Sequence, residues 1–184
     1  MAESSKDQQR NDPVYFWKPD QGHGYLGQWY WSPWVHEGDT YVNAEVWMMV
    51  GKARLFGDES IARQMLDTTD PREHKALGRK VKNFNQKVWD SNKSRIVEEG
   101  NYHKFTISED AVNLKAMLLA TEEREIVEAS PMDRIWGVGF AEKNAGQNRG
   151  RWGQNLLGKA LMVVRGRLRE EVAGKRVEDA GQQK

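Results

Sequence analysis

The stretch NAEVWMMVGKARLFGD, residues 43–58, decides how this chain folds. Asn43 is a good N-cap, because its side-chain oxygen can accept from the first unpaired N–H groups of a helix. A helix is predicted from Ala44 to about Leu55, stopping near Gly57. Asp58 is placed to cap a second helix over Glu59–Leu66. Upstream, Thr40-Tyr-Val42 reads as a strand or an extended lead-in. Tyr15-Phe-Trp17 and Tyr25 to Trp34 read as short strands broken by Gly22, Gly24 and Gly27. Downstream, Pro71 suits a helix start and a short helix is expected to Lys80. Another is expected over Gln86–Glu99, with Gly100 as its stop. Ser108 or Asp110 caps a helix through Leu119, and Glu125 to Ala129 reads as a strand. Leu157, Leu161, Val164 and Leu168 put an apolar stripe on a last helix from Gln154 to about Val172. The predicted fold class is α+β, mainly helical, one compact domain with a few short strands. It occupies residues 13–173, between disordered tails at 1–12 and 174–184.

A chain of 184 residues suits one domain and can bury a sizeable core. The formal net charge is +1, so the molecule as a whole is no polyanion trap. Cysteine is absent, which excludes disulfides, thiolate metal sites and Cys nucleophiles. No apolar run approaches the roughly 20 residues of a membrane span. Met1 to Asp12 is polar and has no apolar signal core. The expectation is a soluble, monomeric, intracellular protein of the cytoplasm, with the nucleus as alternative, and no membrane partner. Charge is uneven. From Lys75 to Lys104 eight Lys/Arg stand against three Asp/Glu, and from Ser108 to Asp133 seven Asp/Glu stand against two Lys/Arg. Such a basic segment meets phosphates or forms solvated helix faces.

Four constellations bear chemistry. Glu45 and Lys52 are seven residues apart in the first helix, so they share a face about 10 Å apart along its axis. Met48 and Met49 between them would desolvate Lys52 and lower its pKa, as a nucleophilic amine requires. The plainer reading is Glu45 complementing the helix dipole and Lys52 reaching water. The segment Glu128 to Phe140 packs the carboxylates of Glu128 and Asp133, the flat face of Trp136, and the flexible Gly137 and Gly139 into thirteen residues. It suits a site for a sugar-linked base, and equally an ordinary structured turn. The loop Arg149-Gly-Arg-Trp-Gly153 suits phosphate or nucleic acid through charge plus stacking. Asn155 either caps the last helix or reaches a ligand. Eight Trp are present, three of them (29, 31 and 34) within six residues; each is core or pocket wall, as is Trp89. His23, His36, His74 and His103 lack metal-ligand spacing, and no Walker or GxGxxG sequence occurs.

Taken in order, these pieces resemble the NADAR (NAD- and ADP-ribose-associated) domain family, which includes the YbiA-like N-glycosidases. The matching text is Ala44-Glu45, Lys52-Ala-Arg-Leu-Phe56 with Asp58, and Ala76-Leu-Gly-Arg79. Trp89, Lys104-Phe105, Leu118-Leu119 and Ile126-Val-Glu-Ala-Ser130 follow. Asp133 with Trp136-Gly-Val-Gly139, Trp152-Gly-Gln-Asn155, Leu157-Gly158, and Leu161-Met162 to Arg165 close it. The resemblance runs from about Tyr15 to Leu168. It implies cleavage of N-glycosidic bonds, in one branch releasing ADP-ribose from guanine in DNA, RNA or nucleotide. In another branch the substrates are phosphoribosylamino intermediates of riboflavin synthesis. The aromatic lead-in and the Asn144 to Arg151 insertion look more like the ADP-ribose branch. A third expectation is a non-catalytic module that binds ADP-ribose or NAD.

The resemblance implies Lys52 as nucleophile, through a Schiff base, with no cofactor and no metal. Glu45 or Asp133 handles protons, and Asp133 alternatively fixes ribose hydroxyls. Trp89 and Trp136 stack on a base, and Gly137 and Gly139 offer backbone N–H groups to a pyrophosphate. Arg79, Lys104 and Arg165 are candidate phosphate partners. Glu128 is either catalytic or a brace of the turn.

Overall fold

Asn43 does cap the first helix, its Oδ1 accepting from Val46 N at 3.0 Å. The computed structural model describes residues 12–182, with side chains to residue 174. The order is β1 (Val14–Phe16), a 3-10 turn (Gly24–Leu26), β2 (Trp34–His36), β3 (Asp39–Tyr41), α1 (Ala44–Leu55), α2 (Glu59–Leu66) and α3 (Pro71–Gly78). Then come α4 (Gln86–Thr106), α5 (Ala111–Leu119), β4 (Ile126–Glu128), α6 (Glu142–Ala145), a 3-10 segment (Gly146–Arg151) and α7 (Leu156–Gln182). The fold is α+β and mainly helical, as predicted. Among the described residues no helix is long and apolar enough to cross a membrane.

The chain forms two units by its contacts: Lys18–Val112, and the residues up to Trp17 with those from Asn113 on. In the first, β2 and β3 form an antiparallel hairpin with Trp34 opposite Tyr41. Trp34 stacks on Tyr41 with ring centroids 5.7 Å apart. Those rings join Val46, Val50, Ala53, Ile61, Met65 and Leu77 in one core under α1, α2 and α3. Asp58 caps α2 through Ile61 N at 3.3 Å, as expected, and its other oxygen accepts from Lys82 N at 3.0 Å. In the second unit β1 pairs parallel with β4, Val14 opposite Ile126. Val127, Val138 and Ala145 pack there beneath Tyr15, Phe140 and Trp152.

Three predicted boundaries move. Gly100 does not end α4, which runs on to Thr106. A Cβ at Gly100 would lie 2.5 Å from Cδ1 of Trp47, so the glycine lets α1 and α4 approach closely. Consequently Lys104-Phe105 follows no turn and is buried inside α4. Tyr25 lies in a 3-10 turn rather than a strand, and only Trp34 of the segment Tyr25 to Trp34 joins a sheet. α7 continues past Val172 to Gln182, and no proline after Pro131 compels it to stop. Of the expected tails, residues 1–11 and 183–184 lie outside the described residues.

Candidate active site

Helix α1 brings Glu45, Met49 and Lys52 to one cleft of about 560 Å³, as their i, i+4, i+7 spacing requires. The opposite wall is α3 and its end: Pro71, Arg72, Lys75, Gly78 and Arg79; Trp29 completes the lining. Such a volume suits a small-molecule site. Arg72, Lys75 and Arg79 follow i, i+3, i+7 spacing, so the cleft carries four cationic side chains and one carboxylate. The expected partner Arg79 is among them.

Lys52 is half-buried, and its Nζ donates to the carbonyl of Gly78 at 3.1 Å. The ammonium lies 4.5 Å from the centroid of the Phe84 ring and 5.9 Å from that of Trp89. Burial holds the Lys52 pKa below the usual lysine range. Trp89, which the resemblance expects to stack on a base, therefore stands beside the amine, together with Phe84.

The cleft wall is braced from the core by polar groups of α4. Asn101 Nδ2 donates to Gln28 Oε1 at 2.9 Å. Gln28 holds the start of α1: its carbonyl accepts from Glu45 N at 3.1 Å and its side-chain amide donates to Ala44 O at 3.4 Å. Lys104 Nζ donates to Gly27 O at 2.8 Å. These bonds fix the loop that presents Trp29, whose ring centroid lies 6.2 Å from that of the buried His74. Lys104 itself is 0% exposed, with its pKa pushed down to about 7 by burial. It is a brace of the loop and not the phosphate partner that the resemblance implied.

The other predicted residues gather in the second unit, around the turn after β4. Asp133 Oδ1 accepts from the N–H groups of Ile135 and Trp136, both at 2.8 Å. The carbonyls of Arg134, Gly137, Ile135 and Trp136 accept from Gln154, Asn155, Leu156 and Leu157, in that order. The turn thus caps the start of α7, where orphan N–H groups would otherwise await an anion. The Asn155 side chain bonds the backbone of β4. It is buried, accepting from Glu128 N at 3.0 Å and donating to Ile126 O at 2.9 Å. Glu128 is half-buried, and its carbonyl accepts from Val138 N at 2.9 Å. Trp136 is half-buried. A Cβ at Gly137 would lie 2.8 Å from the carbonyl of Glu128, so that glycine serves close backbone packing. Gly139 adopts φ +77°, which favours glycine. Arg165, also expected at a phosphate, is buried and donates to Thr121 Oγ1 and Arg124 O at 2.7 and 2.9 Å.

Sequence reasoning missed Arg72, Lys75 and Phe84, and left Trp29 undecided between core and pocket. The helical spacing of Arg72, Lys75 and Arg79 was a readable signal. Nothing local links Phe84 or Trp29 to Lys52. Among the described residues, no three His, Asp or Glu side chains group to hold a metal ion.

Comparison with known proteins matches this architecture. A family model described as the NADAR domain covers residues 15–169. N-glycosidase R617 of Acanthamoeba polyphaga mimivirus is 45% identical over 127 residues, which is 68% of this chain and 73% of that one. A protein named as a riboflavin biosynthesis protein of Vibrio vulnificus is 28% identical over 86% of this chain, but the match spans only 39% of its own length. The solution structure of YbiA from Escherichia coli superposes with a TM-score of 0.67 at 25% identity, covering 91% of this chain and 89% of that one. YbiA of that organism is also named an N-glycosidase. With the family model spanning nearly all of the described residues, this chain belongs to the NADAR domain family.

Proposed function

We propose that the protein is an N-glycosidase that releases ADP-ribose from guanine in nucleic acid or nucleotide, with Lys52 as the nucleophile. The observation that carries this reading is a desolvated amine in a cleft beside a carboxylate and three further cations. Arg72, Lys75 and Arg79 offer more positive charge than one phosphate monoester needs, and suit the diphosphate of ADP-ribose. Relatives named N-glycosidases support the reaction class.

In the proposed route the neutral Lys52 amine attacks C1 of the ribose. The C1–N bond to guanine breaks, its electron pair stays on the base nitrogen, and that nitrogen takes a proton from Glu45. The attached amine returns one proton to Glu45 and gives a second to the ring oxygen as that oxygen departs from C1, which leaves an open-chain imine. Water adds to the imine, and ADP-ribose leaves with Lys52 restored. Phe84 and Trp89 keep water from the amine and offer aromatic faces beside it. Asp133 is the alternative proton carrier on the resemblance alone.

The test is release of ADP-ribose, read by mass, from a guanine-ADP-ribosylated oligonucleotide and from the matching nucleotide. Wild type is expected to release it and Lys52→Ala is not. The name of the Vibrio relative favours a second reading, a phosphoribosylamino substrate of riboflavin synthesis. Turnover of that compound, with none of either guanine substrate, would establish the second reading and overturn the first.

A further inference from the structure

The unit built around β1 and β4 gathers arginines for which the proposed reaction has no use. Arg134 leaves the turn after β4, and Arg149 and Arg151 lie in the 3-10 segment Gly146–Arg151; all three are exposed. The guanidinium carbons of Arg134 and Arg151 lie 5.9 and 5.6 Å from the centroid of one ring, Phe140. Arg134 Nη2 donates to the carbonyl of Arg151 at 2.7 Å, which ties the two together. Arg149 lies 4.8 Å from the centroid of the Trp152 ring.

Their ion pairing differs. Arg149 meets Glu125 at 2.5 Å. Among the described residues, neither Arg134 nor Arg151 has a carboxylate within 4.0 Å. The carboxylate next in sequence, Asp133, has Oδ1 engaged by two backbone N–H groups of its own turn. Two cations held on one ring repel each other, and a shared anion removes that repulsion. The same turn exposes apolar side chains, Met132 at 92% and Ile135 at 47%. Cations interleaved with apolar tips and aromatic rings fit a single strand of nucleic acid better than a free metabolite. Phosphates meet the guanidiniums, and base faces meet the apolar side chains. The formal charge of the whole chain is only +1, so attraction of a polyanion depends on local patches such as this one rather than on the net charge.

We infer that Arg134 and Arg151, with Met132 and Ile135, form a docking surface for a single-stranded stretch of nucleic acid. The inference deepens the proposed function and rests on it only in placing the target guanine within a polymer. The test is fluorescence anisotropy of an unmodified labelled single-stranded oligonucleotide over a salt series, so no turnover is needed. Arg134→Gln with Arg151→Gln is expected to lower the slope of log affinity against log salt by about 1.4, two phosphates' worth, and to weaken binding roughly tenfold. Replacing both by Lys keeps the charge and the slope. Arg149→Gln alone changes less, because Glu125 already meets that charge. A double Gln variant that melts like wild type yet keeps the full slope overturns the surface, as does no oligonucleotide binding by wild type at low salt. Equal binding to polyglutamate, which has charge but no bases, overturns the assignment to nucleic acid. Failure of the function is told apart by turnover: slope-dependent binding with no ADP-ribose release sinks the reaction and leaves the surface standing.

Discussion

Lys52 and Lys104 lie on helices of the same unit, and burial lowers the pKa of both, yet their surroundings are opposite. Lys52 projects from α1 into a cleft, half-covered by Phe84 and Trp89, in a lining it shares with Glu45. Lys104 is sealed in α4 between Tyr30 and Phe105, 5.4 Å from each ring centroid, with its proton donated to Gly27. Lys104 is the more deeply buried and the more perturbed of the two, and it has no approach for a substrate. Desolvation alone therefore does not mark a nucleophile. The useful amine is the one desolvated on one side and open on the other.

Four substitutions would break or sharpen this contrast. Lys52→Arg keeps the charge but forms no imine, and a loss of at least about 10⁴-fold in kcat is expected, the scale of removing a nucleophile. Borohydride added during turnover should fix ADP-ribose on wild type and leave Lys52→Arg unlabelled by mass. Near-normal turnover by that variant would end the Schiff-base route. Glu45→Gln should cost about 10²-fold in kcat, with product release restored by a better leaving group that needs no proton.

Lys104→Met should alter the pH dependence of stability. The unfolded amine keeps its proton up to the ordinary lysine value of 10.5, and the folded one only to about 7. Between those values the unfolded state binds more protons, so this group makes stability rise with pH, by up to about 1.4 kcal/mol per unit. Below about 7 both states are protonated and the slope vanishes. Denaturant titrations at several pH values should show wild type gaining stability over that window relative to Lys104→Met. Parallel curves would mean that Lys104 keeps an ordinary pKa.

The smallest effect is expected from Phe84→Ala. The ring covers the ammonium of Lys52 while being 42% exposed itself, so its loss readmits water and raises the Lys52 pKa toward normal. In the proposed route the neutral amine attacks and Glu45 must hold a proton to donate, so the pH–rate profile should be a bell with one limb set by Lys52. In Phe84→Ala the limb set by Lys52 should move to higher pH, and an unmoved limb would show that the ring does not desolvate the amine.

Several of these distinctions were written in short stretches of sequence. Asn43 and Asp58 announced two helix starts, because capping is local chemistry between residues three apart. Glu45 and Lys52 declared a shared face through spacing alone. Gly100 misled, since a glycine that ends a helix and one that admits Trp47 look alike until the neighbouring helix is known. The aromatic run from Tyr25 to Trp34 suggested strands, but β-propensity depends on a partner strand, and only Trp34 found one. Asn155 read as a cap or a ligand contact because its true partners, Glu128 and Ile126, are 27 and 29 residues away.

By itself the sequence determined the helical plan, the face that joins Glu45 to Lys52, and, through the ordered set of motifs, the family. All of these depend on interactions over a few residues or on order along the chain. Tertiary structure alone decided which lysine is accessible, which aromatic rings cover it, and that α3 supplies the opposing cations. Those choices depend on which distant segments the core forces together, and burial by a distant segment leaves no mark in the local pattern.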